Sequence, residues 1–381
     1  MPRNTHSLEN NLKQVRTKAG LTQGQLAASA RISRQAYSAL ESGNANPSTE
    51  VALRLAKVLR KTVESLFYIR ERPQIVIEAE LVSGSAFETL SGATGQRARL
   101  FRVGSKMFAR PLSGPQNTRH TVVAAEGLVV SQANTGRQIT VQPFDSEDVE
   151  SPTLTMLGCD PAAGLLESGL RSRGIVLVAA EESSGAALLG LANGEAHIAG
   201  CHLLDETTGA YNRSWVEQLV PFPCTLVTFA SWQQGLILPY RNPKNVSSVA
   251  DLADPELRLI NRQVGSGSRA LFDRTLAAAG IPTSLVTGYH REESGHMAVA
   301  VAVASGIADV GIGVKAAAVA MGLDFVPLQE ERYDLVIPQH FLSHEPVQAL
   351  LDLLRHPVLH RKVESLGGYD TSNMGLQPSF T

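Results

Sequence analysis

Leu21-Thr22-Gln23-Gly24-Gln25-Leu26-Ala27, followed by Ile32-Ser33-Arg34-Gln35-Ala36-Tyr37-Ser38-Ala39-Leu40-Glu41, decides how the N-terminal region folds. Thr22 and Ser33 each stand where a short helix begins, and a hydroxyl there accepts a hydrogen bond from an otherwise unpaired backbone N–H. Leu26, Ala27, Ile32, Tyr37 and Leu40 make an apolar seam at helical spacing, and the small Ala27 lets two helices cross closely. Ser29-Ala30-Arg31-Ile32 is the turn between them, and Ser42-Gly43 closes the second helix with glycine in the C-terminal cap. The polar face of that helix carries Ser33, Arg34, Gln35, Ser38 and Ala39. At the front of a helix in the major groove, arginine reads guanine and glutamine reads adenine through paired hydrogen bonds. Gln23, opening the first helix, and Asn44, following the second, suit phosphate contacts, which position without reading sequence. Tyr37 belongs to the seam, and Arg16 with Glu41 reads as an internal ion pair.

Charge is consistent with a polyanion partner at this end. Residues 1–72 carry twelve Lys and Arg against five Asp and Glu, a net +7, while the other 22 and 31 leave the remainder at −9. A solvated basic surface would look the same, so charge alone does not choose.

The stretch from Leu12-x-x-x-Arg16-x-x-x-Gly20-Leu21-Thr22-Gln23 through Glu41-Ser42-Gly43, Pro47-Ser48 and Leu55-Ala56-Lys57-x-Leu59 to Leu66-Phe67 resembles the lambda-repressor/Cro-like (XRE-type) helix-turn-helix family. The resemblance implies an all-α DNA-binding bundle over residues 1–72, a double-stranded DNA operator and a homodimer. Arg31 departs from the glycine usual in the family's turn.

Beyond a charged linker at 69–74, residues 75–145 change to alternation with turn signals: IVIEAEL, RARLFRV, KMFARPL, HTVVAAEGLVVSQ and RQITVQPF. These predict a small, mostly-β segment. After an acidic stretch at 145–152, residues 153–381 alternate strand-like and helix-like segments, which predicts βαβ units on a mostly parallel sheet. The 381 residues therefore read as multidomain. The polar N-terminus is not a signal peptide, and no apolar run is long enough to span a membrane, so no membrane partner is expected. Three unpaired cysteines, Cys159, Cys201 and Cys224, suit a reducing, cytoplasmic setting and show no zinc-type spacing.

Two strand-to-helix junctions in this body attract notice. Gly265-Ser266-Gly267-Ser268-Arg269 precedes the helix RALFDRTLAAAG, and Glu181-Glu182-Ser183-Ser184-Gly185 opens AALLGLANG. Glycines and a helix N-terminus can turn N–H groups toward one anion, and Ser and Arg side chains can complete the nest. Each alone is an ordinary serine cap; two on one α/β body favour a clamp. Tyr289, Glu293 and His296 are candidates to line the same cleft. Spacing offers these no further nitrogen or sulfur ligand, so no metal and no cofactor are expected. No nucleophile elbow is present, so no enzyme is expected.

Gly158-Cys159-Asp160-Pro161, Ala199-Gly200-Cys201-His202-Leu203-Leu204-Asp205, Asn261 to Arg269 and Glu331-Arg332-Tyr333-Asp334-Leu335-Val336-Ile337 resemble the periplasmic-binding-protein-like (type II, molybdate-type) domain of bacterial regulators. That implies two α/β lobes closing on a small-molecule ligand. Ala109-Arg110-Pro111-Leu112-Ser113-Gly114, Ala124 to Val130 and Gly136 to Val141 are similar to the C-terminal β-barrel of molybdopterin molybdotransferases, whose enzymatic portion is absent. Three functions follow as expectations: a transcription regulator sensing molybdate, tungstate or another small anion; one sensing a molybdopterin-like or carboxylated metabolite; or a molybdenum-cofactor enzyme with a DNA head. The acidic residues near the cleft bear on the second, because a tetrahedral dianion is repelled by carboxylates.

Overall fold

The computed structural model describes residues 8–69, 75–83, 94–112, 125–133, 137–145 and 150–378. The chain forms two compact units, Met1–Gln74 and Ile75–Thr381.

The first unit holds α1 (Leu12–Lys18), α2 (Gln23–Ser29), α3 (Arg34–Glu41), α4 (Thr49–Leu59) and α5 (Val63–Leu66). A short antiparallel pair, β1 (Leu8–Asn10) with β2 (Phe67–Ile69), ties its ends together; no sequence signal announced it. The expected caps are made. Gln25 N donates to Thr22 Oγ1 at 3.2 Å while Thr22 N donates to Gln25 Oε1 at 2.9 Å. Ser33 Oγ accepts from Ala36 N at 3.0 Å, so its acceptor lone pair serves the helix. Leu12, Leu26, Tyr37, Leu55 and Leu66 are fully buried in one core. Arg16 grips Glu41 with two hydrogen bonds of 2.9 and 2.8 Å and spends its third donor group on Leu21 O.

The second unit begins with a closed five-stranded barrel: β3 (Ile77–Leu81), β4 (Arg97–Val103), β5 (Lys106–Pro111), β6 (Gly127–Gln132) and β7 (Gln138–Pro143), in the order β3-β5-β4-β6-β7. Ser113, Gly114, Ala124 and Gly136 of the barrel resemblance, and residues 146–149 of the acidic stretch, lie outside the described residues. The barrel is seated on the α/β body. Arg137 pairs with the buried Glu195 at 2.7 Å, and Arg110 with Glu182 at 3.1 Å. Val82, Phe101, Val103 and Phe108 meet Val178 in a shared apolar cluster.

The body runs β8 (Thr153–Leu157), α6 (Ala163–Arg171), β9 (Val176–Ala180), α7 (Ser184–Ala192), β10 (Ile198–Cys201), α8 (Arg213–Leu219), β11 (Cys224–Leu238), β12 (Leu259–Arg262), α9 (Gly267–Ala278), β13 (Glu292–Glu293), α10 (His296–Ala304), β14 (Val310–Val314), α11 (Lys315–Ala320), β15 (Asp324–Pro338), α12 (Glu345–Leu354), α13 (Pro357–Glu364) and β16 (Tyr369–Asp370). The sheet order is β13-β12-β14-β11-β15-β10-β8-β9, with β16 on β11.

The mostly parallel sheet expected from the βαβ alternation is corrected here. Only the flanks are parallel, β8 with β9 and β10 on one side, β12 with β14 and β13 on the other. The centre is the antiparallel pair β11–β15, two strands of 15 residues each. Their outer ends belong to different lobes. Residues 334–336 of β15 pair with β10, and residues 234–237 of β11 pair with β14. Irregular register at Thr228/Ala230 and Gln234/Gly235 brackets the crossing. One apolar core runs through both sides, joining Leu154, Met156 and Ile198 with Ile260, Val299 and Val314, and smaller cores lie farther out, with Leu157, Leu188, Leu191 and Val216 in the first lobe and Leu236, Leu259, Phe272 and Ile312 in the second.

Two outcomes follow for the first unit. Arg31 adopts φ +57°, the left-handed region that costs an L side chain roughly 1–2 kcal/mol. Arg31→Gly is expected to raise the stability of residues 1–74 by about 1 kcal/mol in chemical denaturation, and no gain would show that the turn carries no strain. The Arg16 hydrogen bonds, helped by Tyr37 and opposed by burial, hold the Glu41 carboxyl below its ordinary 4.5. A carboxyl depressed in the folded state stabilises fully above its unfolded value and loses that contribution as pH falls through the folded one. The melting temperature of residues 1–74 should therefore fall below pH 4.5, and Arg16→Ala should flatten this slope while costing about 3 kcal/mol at neutral pH.

Candidate functional site

The carboxyl ends of the strands deliver the side chains that meet between the lobes, as ligand sites of open α/β sheets require. Cys159 lies two residues past β8, His202 directly follows β10, and Arg262 ends β12. His296 opens α10, while Trp232, Glu331 and Tyr333 come from the central crossing of β11 and β15. All seven are buried. Cys159 Sγ stands 3.8 Å from His202 Nε2 and 3.7 Å from His296 Nε2. On its other side, His202 Nδ1 meets Glu331 Oε2 at 2.8 Å. The indole of Trp232 lies edge-on to both imidazoles, with centroids 5.1 and 5.7 Å away.

The two predicted junctions do face one another. A Cβ on Gly185 would come within 3.7 Å of Gly265 O, and one on Gly267 would stand 2.5 Å from the His202 ring. Only glycine permits that approach of α9 to His202. A cavity of about 650 Å³ opens beside the junctions, lined by Gly185, His202, Gly265, Gly267, Arg269 and Glu331 among others.

The electrostatics separate residues that the sequence treats alike. Arg269 does not supply a free charge. Its guanidinium is engaged by Asp273 at 3.1 Å, by Glu292 at 2.8 Å and by Arg262 O at 3.3 Å, and it stacks over Tyr289. Tyr289 in turn donates to Asp273 at 2.8 Å. The charge of Arg269 is thus shared with this acidic pair, although the side chain still lines the cavity. Ser183 and Ser266 cap α7 and α9, accepting from Ala186 N and Arg269 N. Ser184 Oγ accepts from His202 N. Glu293 sits beside Arg262 in the β12–β13 register. Ser268, by contrast, is fully buried with its hydroxyl unpartnered.

Arg262 is the residue the sequence reading missed. It is fully buried, and both of its terminal nitrogens lack a hydrogen-bond partner, as do Trp232 Nε1 and His296 Nδ1. Burial pulls its pKa down, against support from Cys159 and Glu181. Burial likewise opposes charge on His202, but hydrogen bonds with Cys159 and Glu331 hold it up at about 9. His296 is pushed well down by burial and by the nearby Arg262 and His202. Sequence spacing offered no ligand set, yet folding brings Cys159, His202 and His296 to one point with ligand atoms within 4.8 Å of one another. A usable signal existed: each missed residue closes a strand or follows one, inside a stretch already distinctive in the sequence.

In the first unit Arg34 and Gln35 are exposed on the opening turn of α3, and Asn44 is exposed beyond it; Ser38, Ala39 and Gln23 are half-buried. Gln23 also bonds the Glu41 carboxylate, which ties it to the internal ion pair.

Comparison with known proteins agrees with this architecture. Residues 12–66 match the helix-turn-helix family HTH_3, and residues 167–355 match the PBP superfamily domain PBP_like. The chain joins an XRE-type helix-turn-helix to a PBP superfamily domain. It belongs to one family with an uncharacterized protein from the ferredoxin 2Fe-2S gene 5′ region of Clostridium pasteurianum, 38% identical over 28% of this chain and 94% of that one. An uncharacterized protein of Bacillus subtilis, YvgK, is 34% identical over 49% of this chain; the match spans 61% of YvgK's length. Among solved structures, the sulfate-binding protein SubI of Mycobacterium tuberculosis matches at 13% identity over 57% of this chain and 86% of its own, with a TM-score of 0.42. The CcmR regulatory domain of Synechocystis in complex with 2-PG matches at 13% over 53% and 95%, with a TM-score of 0.41. Among the described residues, no helix is long and apolar enough to cross a membrane.

Proposed function

We propose that this chain is a ligand-responsive transcription regulator: a homodimer in the cytoplasm whose α3 reads an operator and whose body closes on a small oxyanion of the molybdate or tungstate class. One observation carries the anion: Arg262, fully buried between the lobes, presents two unpartnered terminal nitrogens. A buried guanidinium without a counter-charge costs several kcal/mol, and a tetrahedral oxyanion supplies both the charge and the acceptors. Trp232 Nε1 and Ser268 Oγ add neutral donors. Part of the nearby acidity is paired within the protein, while Glu181 and Glu293 stand near Arg262 itself. Glu331 is held by His202, Glu182 by Arg110, and Glu292 and Asp273 by Arg269.

Calorimetry on the full chain with molybdate, tungstate, sulfate and phosphate tests this. At least one should bind, and Arg262→Ala should weaken it 100-fold or more, which is about 3 kcal/mol, while Arg269→Ala, acting only on the fold of α9, should cost less. If all four oxyanions fail and a carboxylated metabolite binds, the organic-ligand reading replaces this one.

For the head, Arg34→Ala with Gln35→Ala is expected to erase sequence preference in footprinting while leaving the helical circular dichroism and the salt-dependent, non-specific affinity in place. An unchanged footprint would remove both residues from the readout. Saturating oxyanion should shift operator affinity by about 5- to 150-fold, the usual range of coupling between two sites.

A further inference from the structure

We propose that Cys159, His202 and His296 hold one divalent cation of the zinc class, bridging the two lobes. A tetrahedral centre with a sulfur at about 2.3 Å and nitrogens at about 2.0–2.1 Å sets sulfur and nitrogen roughly 3.6 Å apart. The two sulfur-to-nitrogen distances here are 3.8 and 3.7 Å. One Cys–His contact is ordinary core packing; two imidazole Nε2 atoms converging on one sulfur, all three residues buried, is a ligand arrangement. The second-sphere partner is present too. Glu331 Oε2 takes the opposite nitrogen of His202 at 2.8 Å, which fixes the ring with Nε2 aimed at the centre, as carboxylates do behind metal-bound histidines. A thiolate with two imidazoles is a borderline-soft set, suited to zinc, cobalt or copper and unsuited to magnesium or calcium.

Cys159 and His202 come from the lobe built on β8 and β10, and His296 from the lobe built on β12 and β14. The cation is therefore bonded across the cleft and holds the closed form. Three protein ligands leave a tetrahedral ion one open position. The site goes beyond the oxyanion reading and stands without it.

Cobalt(II) titration of the untagged full chain, with no oxyanion present, tests the assignment. One equivalent should bind and give the near-ultraviolet sulfur-to-cobalt charge-transfer band, which zinc then displaces. Cys159→Ser should abolish the band and Cys224→Ser should keep it. Glu331→Gln should weaken cobalt affinity by about 10- to 100-fold. If Cys159→Ser fails to reproduce the wild-type thermal transition, His296→Gln provides the second variant, with the same loss of affinity expected. Absence of cobalt and zinc uptake by the wild type, or a charge-transfer band that survives Cys159→Ser, overturns the site. Because oxyanion binding is measured separately through Arg262, either assignment can fail alone.

Discussion

Everything between the lobes depends on the pairing of β11 with β15. Each strand is 15 residues long, so each runs from one lobe into the other, and their shared ladder is the covalent and hydrogen-bonded axis of the body. Strand alternation then puts Trp232 and Gln234 on one face of β11, and Glu331 and Tyr333 on one face of β15. The bulges at Thr228/Ala230 and Gln234/Gly235 bend the ladder at the crossing. All four side chains are buried; Trp232 and Tyr333 join the apolar core, while Gln234 and Glu331 bring buried polar groups to the crossing. The strands of both lobes end above this crossing, and their carboxyl ends contribute the cysteine, histidine and arginine.

Two arginines seven positions apart show how context assigns roles. Both lie near the second junction and both are chemically able to bind an anion. Arg269 stands one helical turn from Asp273 and across from Glu292, so its charge is spent within its own lobe. It bonds Arg262 O and stacks on Tyr289, which makes it a brace for the start of α9. Among the described residues, Arg262 has no carboxylate in hydrogen-bond reach, and it is fully buried. Desolvation decides between them: the paired arginine supports structure, and the unpaired buried one needs something from outside.

Much of the fold was legible in the sequence, because local signals and tertiary structure agree there. The caps at Thr22 and Ser33 involve spacings that a helix fixes by itself, and the Leu26–Tyr37–Leu40 seam and the bracing pair Arg16–Glu41 join neighbouring helices of the same small bundle. The barrel strands at 97–103 and 106–111 announced themselves by alternation and a two-residue turn. The central strands did not. Segments 224–238 and 324–338 are buried on both faces over part of their length and interrupted by Gln233, Gln234, Glu330, Glu331 and Arg332, so neither a period of two nor a continuous apolar run marks them. The site was half legible for the same reason. Serine caps and glycine turns are local and could be seen, whereas Cys159 lies 43 residues from His202 and 137 from His296. No spacing rule reaches across a sheet whose central strands are themselves unreadable.

The placement of charge also bears on how such a body could report a ligand. A clamshell that closed equally well with and without its ligand would shift no equilibrium, however tightly it bound. Here Arg262 is buried near His296, and among the described residues its terminal nitrogens have no hydrogen-bond partner. Desolvation of this kind opposes any state that buries the guanidinium without a nearby counter-charge, and an anion bound there offsets it. On the proposed reading, the differential affinity that switching demands resides in this guanidinium. On the same reading, a neutral side chain of similar size there would remove the cost of burying the charge together with the anion's reason to bind.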